Sequence, residues 1–265
     1  MNCESLLIEI TQKCNLNCLY CFYRDYGRAE NEISKETLLN ILNKYYHIDN
    51  IYLTGGECTL AKDFLEIIKI CSEKAHVTIF TNGVTLYDDT FFKEVNKYVS
   101  NYIITFDEFN VDYPCRKLIK KTDLVIKKIL ANSPNKLVVK VCINKFNIEN
   151  LTNIFDYLKQ IGVKKVSVNF VHNIKNNAIE FELNEIEKRK VFSILDSYES
   201  IRYINYYDLI RDFYLNKKNS LVSKCKAGTL FYYYDCNGNL HDCPAECNKL
   251  KTCLSKECTS LYEMF

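Results

Sequence analysis

The chain of 265 residues is 48% hydrophobic and carries 35 basic against 33 acidic side chains, for a net charge of +2. That length accommodates one main domain with an appendage, and the even spread of charge excludes both the basic stripe of a nucleic-acid binder and an acidic disordered tail. The longest apolar runs, such as 137–143, fall far short of the roughly 20 residues a membrane span requires. The opening Met1-Asn2-Cys3-Glu4-Ser5 lacks the zones of a signal peptide, so a cytoplasmic location with neither membrane nor nucleic acid as partner is expected.

Apolar runs rich in Ile, Val and Tyr predict strands at 6–10, 50–54, 76–81, 102–106, 137–143 and 165–170. Between them, apolar residues at three- and four-residue spacing predict amphipathic helices at 35–46, 63–73, 88–98, 116–130 and 149–160, with a further helix at 184–198. Six strand–helix repeats imply parallel strands with right-handed crossovers, in either a doubly wound sheet or a full or partial barrel. Ligands in such folds sit at the carboxyl ends of the strands. Polar or unusual residues follow five strands at that end: Thr11 to Cys21, Gly55-Gly56-Glu57, Thr81-Asn82-Gly83, Asp107, and Asn144-Lys145. Strand alternation also places Val138, Lys140, Cys142 and Asn144 on one face and Ile103, Thr105 and Asp107 on another, which predicts a polar interior suited to a cofactor and substrate.

Fourteen cysteines exceed chance for this length and imply disulfides, zinc or iron–sulfur clusters. Without an export signal a disulfide framework is disfavoured, which leaves metal thiolates. Cys14, Cys18 and Cys21 form a C-x3-C-x2-C array in the loop after the first strand. Three thiolates hold three irons of a four-iron cluster and leave the fourth iron open to an outside ligand, whereas structural zinc wants four ligands and no nearby Cys or His completes such a set.

This segment resembles the cluster-binding loop of the radical S-adenosylmethionine superfamily, down to the aromatic Tyr20 before the third cysteine. Thr54-Gly55-Gly56-Glu57 resembles the superfamily's glycine-rich segment, whose backbone and acidic residue receive the methionine ammonium group. Physically, glycines permit close backbone approach and a carboxylate satisfies a cation. Many relatives have Pro after that Glu, where this chain has Cys58. Phe80-Thr81-Asn82-Gly83 resembles the third-strand turn of the same group. Thr105 and Asp107 fall where relatives touch the ribose, although a polar strand residue and a helix cap explain them equally well. Asn144 resembles part of an Asn-Lys pair after the fifth strand.

The resemblance implies a partial (β/α)6 barrel over residues 1–215, binding S-adenosylmethionine through Tyr20, Gly55, Gly56, Glu57, Thr81, Asn82, Thr105, Asp107 and Asn144. It also implies oxygen-sensitive chemistry. A reduced [4Fe-4S] cluster, charged by a donor such as flavodoxin or ferredoxin, would split S-adenosylmethionine to a 5'-deoxyadenosyl radical that takes hydrogen from a substrate.

The Lys-Asn-Ser stretch 217–220 predicts a linker to a cysteine-dense extension at 216–265. There Phe231-Tyr232-Tyr233-Tyr234-Asp235 runs into Cys236-Asn237-Gly238-Asn239, a hairpin signal. A zinc ribbon is the alternative, but C-x-x-C pairs are absent. The spacing from Cys225 through Gly238 to Cys243 resembles SPASM and Twitch domains, which carry auxiliary four-iron clusters. Six cysteines are too few for two full clusters, so one is expected, held by Cys225, Cys243 and Cys258 with Cys236, Cys247 or Cys253 as the fourth ligand.

SPASM and Twitch relatives mostly modify ribosomally made peptides by thioether formation, crosslinking or epimerisation, and a peptide is the expected substrate. A Twitch-type dehydrogenase of a small-molecule alcohol is the alternative enzyme, and a non-catalytic iron–sulfur or zinc protein the alternative of another class. Pro244 stands where sulfatase-oxidising relatives have an acid, which argues against that activity. The first strand begins near residue 5, so peptide recognition would fall to a separate protein or to the barrel itself. Epimerisation needs a thiol to return hydrogen, and Cys142 and Cys58 are the candidates, against the reading of each as a small core residue.

Overall fold

The computed structural model describes residues 2–21, 30–109, 117–171, 180–204, 207–216 and 226–241. Strands and helices alternate: β1 (Asn2–Thr11), α1 (Lys35–Leu42), β2 (His47–Gly55), α2 (Phe64–Ser72), β3 (His76–Thr81), α3 (Asp89–Tyr98), β4 (Asn101–Thr105), α4 (Ile119–Asn132), β5 (Leu137–Ile143), α5 (Leu151–Gln160) and β6 (Val166–Phe170). After them come α6 (Glu185–Ser197), α7 (Tyr207–Asn216), β7 (Phe231–Tyr234) and β8 (Leu240–His241).

Local chemistry sets the helix ends. Ser34 accepts from Thr37 N at 3.0 Å at the start of α1, Asp88 accepts from Phe91 N at 2.7 Å before α3, and Asn184 with Glu187 forms a reciprocal capping box on α6. The first helix stops at Leu42 rather than reaching residue 46. Tyr45 turns inward instead, buried, with its hydroxyl 3.1 Å from that of Tyr234.

The sheet order is β6-β5-β4-β3-β2-β1-β7-β8, with β1 to β6 parallel to their neighbours in chain order. A doubly wound sheet would reverse its order at a switch point, and this one does not. Consecutive order with right-handed crossovers puts the helices on one side and makes the sheet a partial barrel. The apolar residues divide accordingly. Leu6, Ile8 and Ile10 of β1 join the large core packed under the helices, while Leu7 meets Phe231 and Tyr233, with Tyr52 and Phe80 against them, on the inner face.

The predicted hairpin is present, and its first strand lies parallel to β1, pairing Ser5 to Ile8 with Phe231 to Tyr234. Asp235 holds the turn by accepting from Asn237 N, Asn239 N and Asn239 Nδ2, each at 2.9 Å. The chain beyond residue 216 thus returns to extend the barrel wall. Cys225, Cys243, Cys247, Cys253 and Cys258 lie outside the described residues. Among the described residues, no helix is long and apolar enough to cross a membrane.

Candidate active site

The carboxyl ends of β1 to β5 converge on the loop that carries Cys14, Cys18 and Cys21. In β1 the pairing with β2 shifts register between Glu9 and Thr11, a bulge that re-aims the chain as it leaves the sheet. The β2 turn is then pinned directly to the cysteine loop: Gly56 N donates to Thr11 O at 2.9 Å and Glu57 N to Lys13 O at 2.7 Å. This contact explains both glycines. A Cβ on Gly55 would stand 2.1 Å from Thr11 O, and one on Gly56 would stand 2.5 Å from Lys13 O and 2.6 Å from Gln12 O. All of these obstacles are backbone, so no side-chain movement relieves them.

Glu57 is the hub of the next layer. Its carboxylate is 1% exposed and accepts from Thr59 Oγ1 and Thr81 Oγ1 at 2.5 Å, Asn82 N at 2.6 Å and Thr59 N at 3.3 Å. Burial pushes its pKa up, and these four donors act in the opposite sense. Asn82 in turn donates from Nδ2 to Asn15 Oδ1 at 2.7 Å, and its backbone carbonyl accepts from Thr122 Oγ1 at 2.9 Å. The β3 turn is thereby fixed to both the cysteine loop and α4. A third tether comes from β4: the Tyr20 hydroxyl donates to Asp107 Oδ2, while Asp107 Oδ1 accepts from Cys142 N at 2.8 Å.

The three cysteine side chains are half-buried, with Leu16 N donating to Cys14 Sγ at 3.4 Å. Among the described residues no three His, Cys, Asp or Glu side chains surround a single metal-ion position. Three soft donors on one loop, braced from three neighbouring strand ends, fit a four-iron cluster with one open iron.

The structure brings Tyr20, Gly55, Gly56, Glu57, Thr81, Asn82 and Asp107 together around the cysteine loop, with Thr105 on the inner face beside Lys140 in register. Two of the expected residues are fully buried. Cys58 begins a 3-10 turn that carries it into the core under the helices, fully buried, its thiol donating to Phe80 O at 3.2 Å and its pKa driven up by burial. A thiol so placed does not face the barrel interior. Asn144 is also fully buried and serves its own turn, its Nδ2 donating to Cys142 O at 3.0 Å and its Oδ1 accepting from Phe146 N at 2.9 Å.

Cys142 remains on the inner face of β5, paired in register with Asn169. Cys236, the one C-terminal cysteine among the described residues, is buried next to Glu9. Burial and that carboxylate push its thiol up to about 12. Sequence reasoning missed two groups. Glu9 is buried on β1 and accepts from the Tyr233 hydroxyl at 2.7 Å, and Asn147 bridges strand ends by donating to both Asp107 O and Cys142 O at 3.0 Å. A charged residue at every-second-residue spacing in an otherwise apolar strand was the available signal for Glu9.

Fold and site together define a partial-barrel α/β protein whose polar groups gather at the carboxyl ends of its strands around a cysteine loop. The family model of the Radical SAM superfamily matches residues 8–182, and the chain belongs to that superfamily. The family implies a [4Fe-4S] cluster and S-adenosylmethionine as cofactors.

Among curated relatives, GTP 3',8-cyclase of Campylobacter jejuni subsp. doylei is 29% identical over 212 residues. That match covers 75% of this chain, which spans only 65% of the relative's length. The sporulation killing factor maturation protein SkfB of Bacillus subtilis is 26% identical over 168 residues, 60% of this chain and 40% of that protein. Among solved structures, Streptococcus suis SuiB bound to precursor peptide SuiA superposes with a TM-score of 0.76 at 16% identity, covering 98% of this chain and 66% of SuiB. Native anSMEcpe with bound AdoMet and Cp18Cys peptide gives 0.70 at 18% identity, covering 91% and 74%. At these identities the two structures speak for the fold.

Proposed function

We propose that this radical SAM enzyme modifies a peptide, with Cys14, Cys18 and Cys21 holding the cluster that binds S-adenosylmethionine. When bound, these cofactors supply a one-electron cleavage that generates a carbon-centred oxidant for hydrogen abstraction. The chain's own residues do the positioning. Gly55 and Gly56 let the β2 turn seat against the cluster loop and offer backbone to the methionine ammonium group. Glu57 locks that turn to the β3 turn, so its contribution to the ammonium site is chiefly orientation. Tyr20 and Thr81-Asn82 order the loop around the nucleoside, Thr105 and Asp107 line the ribose side, and Cys142 faces the substrate as a hydrogen donor.

In this reading residues 1–215 form the catalytic barrel and 216–265 an auxiliary-cluster extension that starts as the β7–β8 hairpin. One auxiliary [4Fe-4S] cluster is held by Cys225, Cys243 and Cys258, with Cys236, Cys247 or Cys253 as the fourth ligand. The observation that carries the peptide reading is the near-complete match of this chain, hairpin included, to the fold of a protein solved with its precursor peptide. SkfB, a curated relative named as a maturation protein, supports it. A second reading, chemistry on a purine nucleotide, is favoured by the curated relatives named GTP 3',8-cyclase.

The test is anaerobic reconstitution followed by iron, sulfide and 5'-deoxyadenosine measurement under dithionite, first alone, then with peptides encoded by reading frames beside the gene, then with GTP. Roughly eight irons per chain and a mass change in a peptide support the proposal. Consumption of GTP with matching nucleoside formation and no peptide product would replace it with the second reading.

A further inference from the structure

The inner face of β5 and β6 contains a polar cluster that the cysteine loop does not use. Lys140 projects from β5 into the barrel, 7% exposed, with Nζ 5.0 Å from the centroid of the Phe80 ring. Asn169, its amide turned so that its nitrogen donates to Val168 O at 3.1 Å, accepts from Lys140 Nζ at 3.2 Å. Ser167 is the register partner of Lys140 on β6 and therefore points to the same face. It is 2% exposed, and its hydroxyl has no hydrogen-bond partner among the described residues. A buried hydroxyl left without a partner costs free energy unless something binds there.

Burial holds the Lys140 ammonium down to about 8, so the fold bears a penalty for keeping this cation inside at neutral pH. Across the barrel, Glu9 on β1 is also buried and accepts from the Tyr233 hydroxyl at 2.7 Å. One ammonium, one hydroxyl and an orienting amide match a group of single negative charge. A phosphate would recruit several cations or a cluster of backbone N–H groups.

We propose that Lys140, Ser167 and Asn169 form a substrate subsite that takes a carboxylate, with the Lys140 ammonium and the Ser167 hydroxyl donating to its two oxygens. The proposal rests on the barrel interior being the substrate chamber, and it narrows the substrate to a carboxylate-bearing one.

The test uses the reconstituted holoprotein with S-adenosylmethionine bound and lysine labelled with 13C at Cε, the Lys140 resonance being identified by its loss in Lys140→Met. Its titration midpoint is followed in chloride, acetate and inorganic phosphate at matched ionic strength. The expected result is a midpoint at least about one pH unit higher in acetate than in chloride, the size an opposite charge at contact produces, with a smaller rise in Ser167→Ala. A midpoint that acetate leaves unchanged, or raises no further than phosphate does, overturns the carboxylate subsite. A rise undiminished in Ser167→Ala overturns the part assigned to that hydroxyl. Peptide turnover is read in a separate assay, so failure of the peptide reading leaves this result standing, and the converse holds.

Discussion

The strand ends of β1 to β4 and the inner wall of β5 and β6 treat polar groups in opposite ways. Around the cysteine loop, Glu57 accepts four protein donors, Asn82 ties to Asn15, and Tyr20 ties to Asp107. On the β5–β6 wall a cation is buried and a hydroxyl is left without a partner among the described residues. The first region is organised by the protein itself, as suits a cofactor whose geometry never varies. In the proposed subsite the second is completed by the substrate carboxylate.

The largest expected effect lies in the first region. Cys18→Ala removes one of the three thiolates of the cysteine loop, and 5'-deoxyadenosine formation should vanish while iron falls by about four per chain. Retention of full iron and nucleoside production in that variant would sink the cluster assignment and with it the contrast between the two regions.

Next comes the buried lysine, where the sign of the effect is informative. The Lys140 pKa is lowered from 10.5 to about 8 by burial, so between those values the unfolded chain binds a proton that the folded chain does not. Stability therefore rises with pH across that window, and the penalty is fully present below about 8. Lys140→Met should raise stability at neutral pH by roughly 3 kcal/mol and flatten the rise between pH 8 and 10.5. Urea unfolding at several pH values checks it. A variant less stable than the parent at pH 7 would mean that Lys140 is held for the fold and that the two walls do not differ in kind.

Gly56→Ala sharpens the comparison from the other side. Its Cβ meets two backbone carbonyls at 2.5 and 2.6 Å, so the β2 turn and the cysteine loop must separate, at a cost of about 1–3 kcal/mol. Thermal unfolding should register that loss together with weaker S-adenosylmethionine binding, whereas Gly162→Ala, with nothing within 4 Å of its added Cβ, reports only the local backbone strain of its positive φ.

Much of this architecture was legible because its signals are local. Apolar runs alternating with three-and-four spacing gave six strand–helix units, and the C-x3-C-x2-C spacing located the loop. Asn237-Gly238 announced the hairpin, but not that β7 would run parallel to β1, since a pairing across more than 220 positions leaves no local trace. The same limit governed the site. Glu57 looked like a residue facing a ligand, yet its donors Thr81 and Asn82 come from the next strand and turn inward to meet it. Cys58 shares a strand end with the glycines, but the 3-10 turn beginning there rotates it to the opposite face. Asn144 satisfied its own turn, as Asn commonly does.

The smallest effect is expected at Tyr20, and it separates the ring from the hydroxyl. The ring makes an edge contact with Phe181, centroids 6.4 Å apart, and Tyr20→Phe keeps that contact while deleting the donor to Asp107. Tyr20 is half-buried, so water can reach part of the vacated position, and the loss should stay near 1 kcal/mol. If the hydroxyl's work is to hold the cysteine loop against β4, that energy appears as about fivefold weaker S-adenosylmethionine binding with iron content unchanged. Asp107→Asn should weaken binding similarly, and the double variant should cost less than the two single losses added, because both remove one shared contact. Strictly additive losses would show that Tyr20 and Asp107 act separately, leaving the loop braced by the β2 and β3 turns alone.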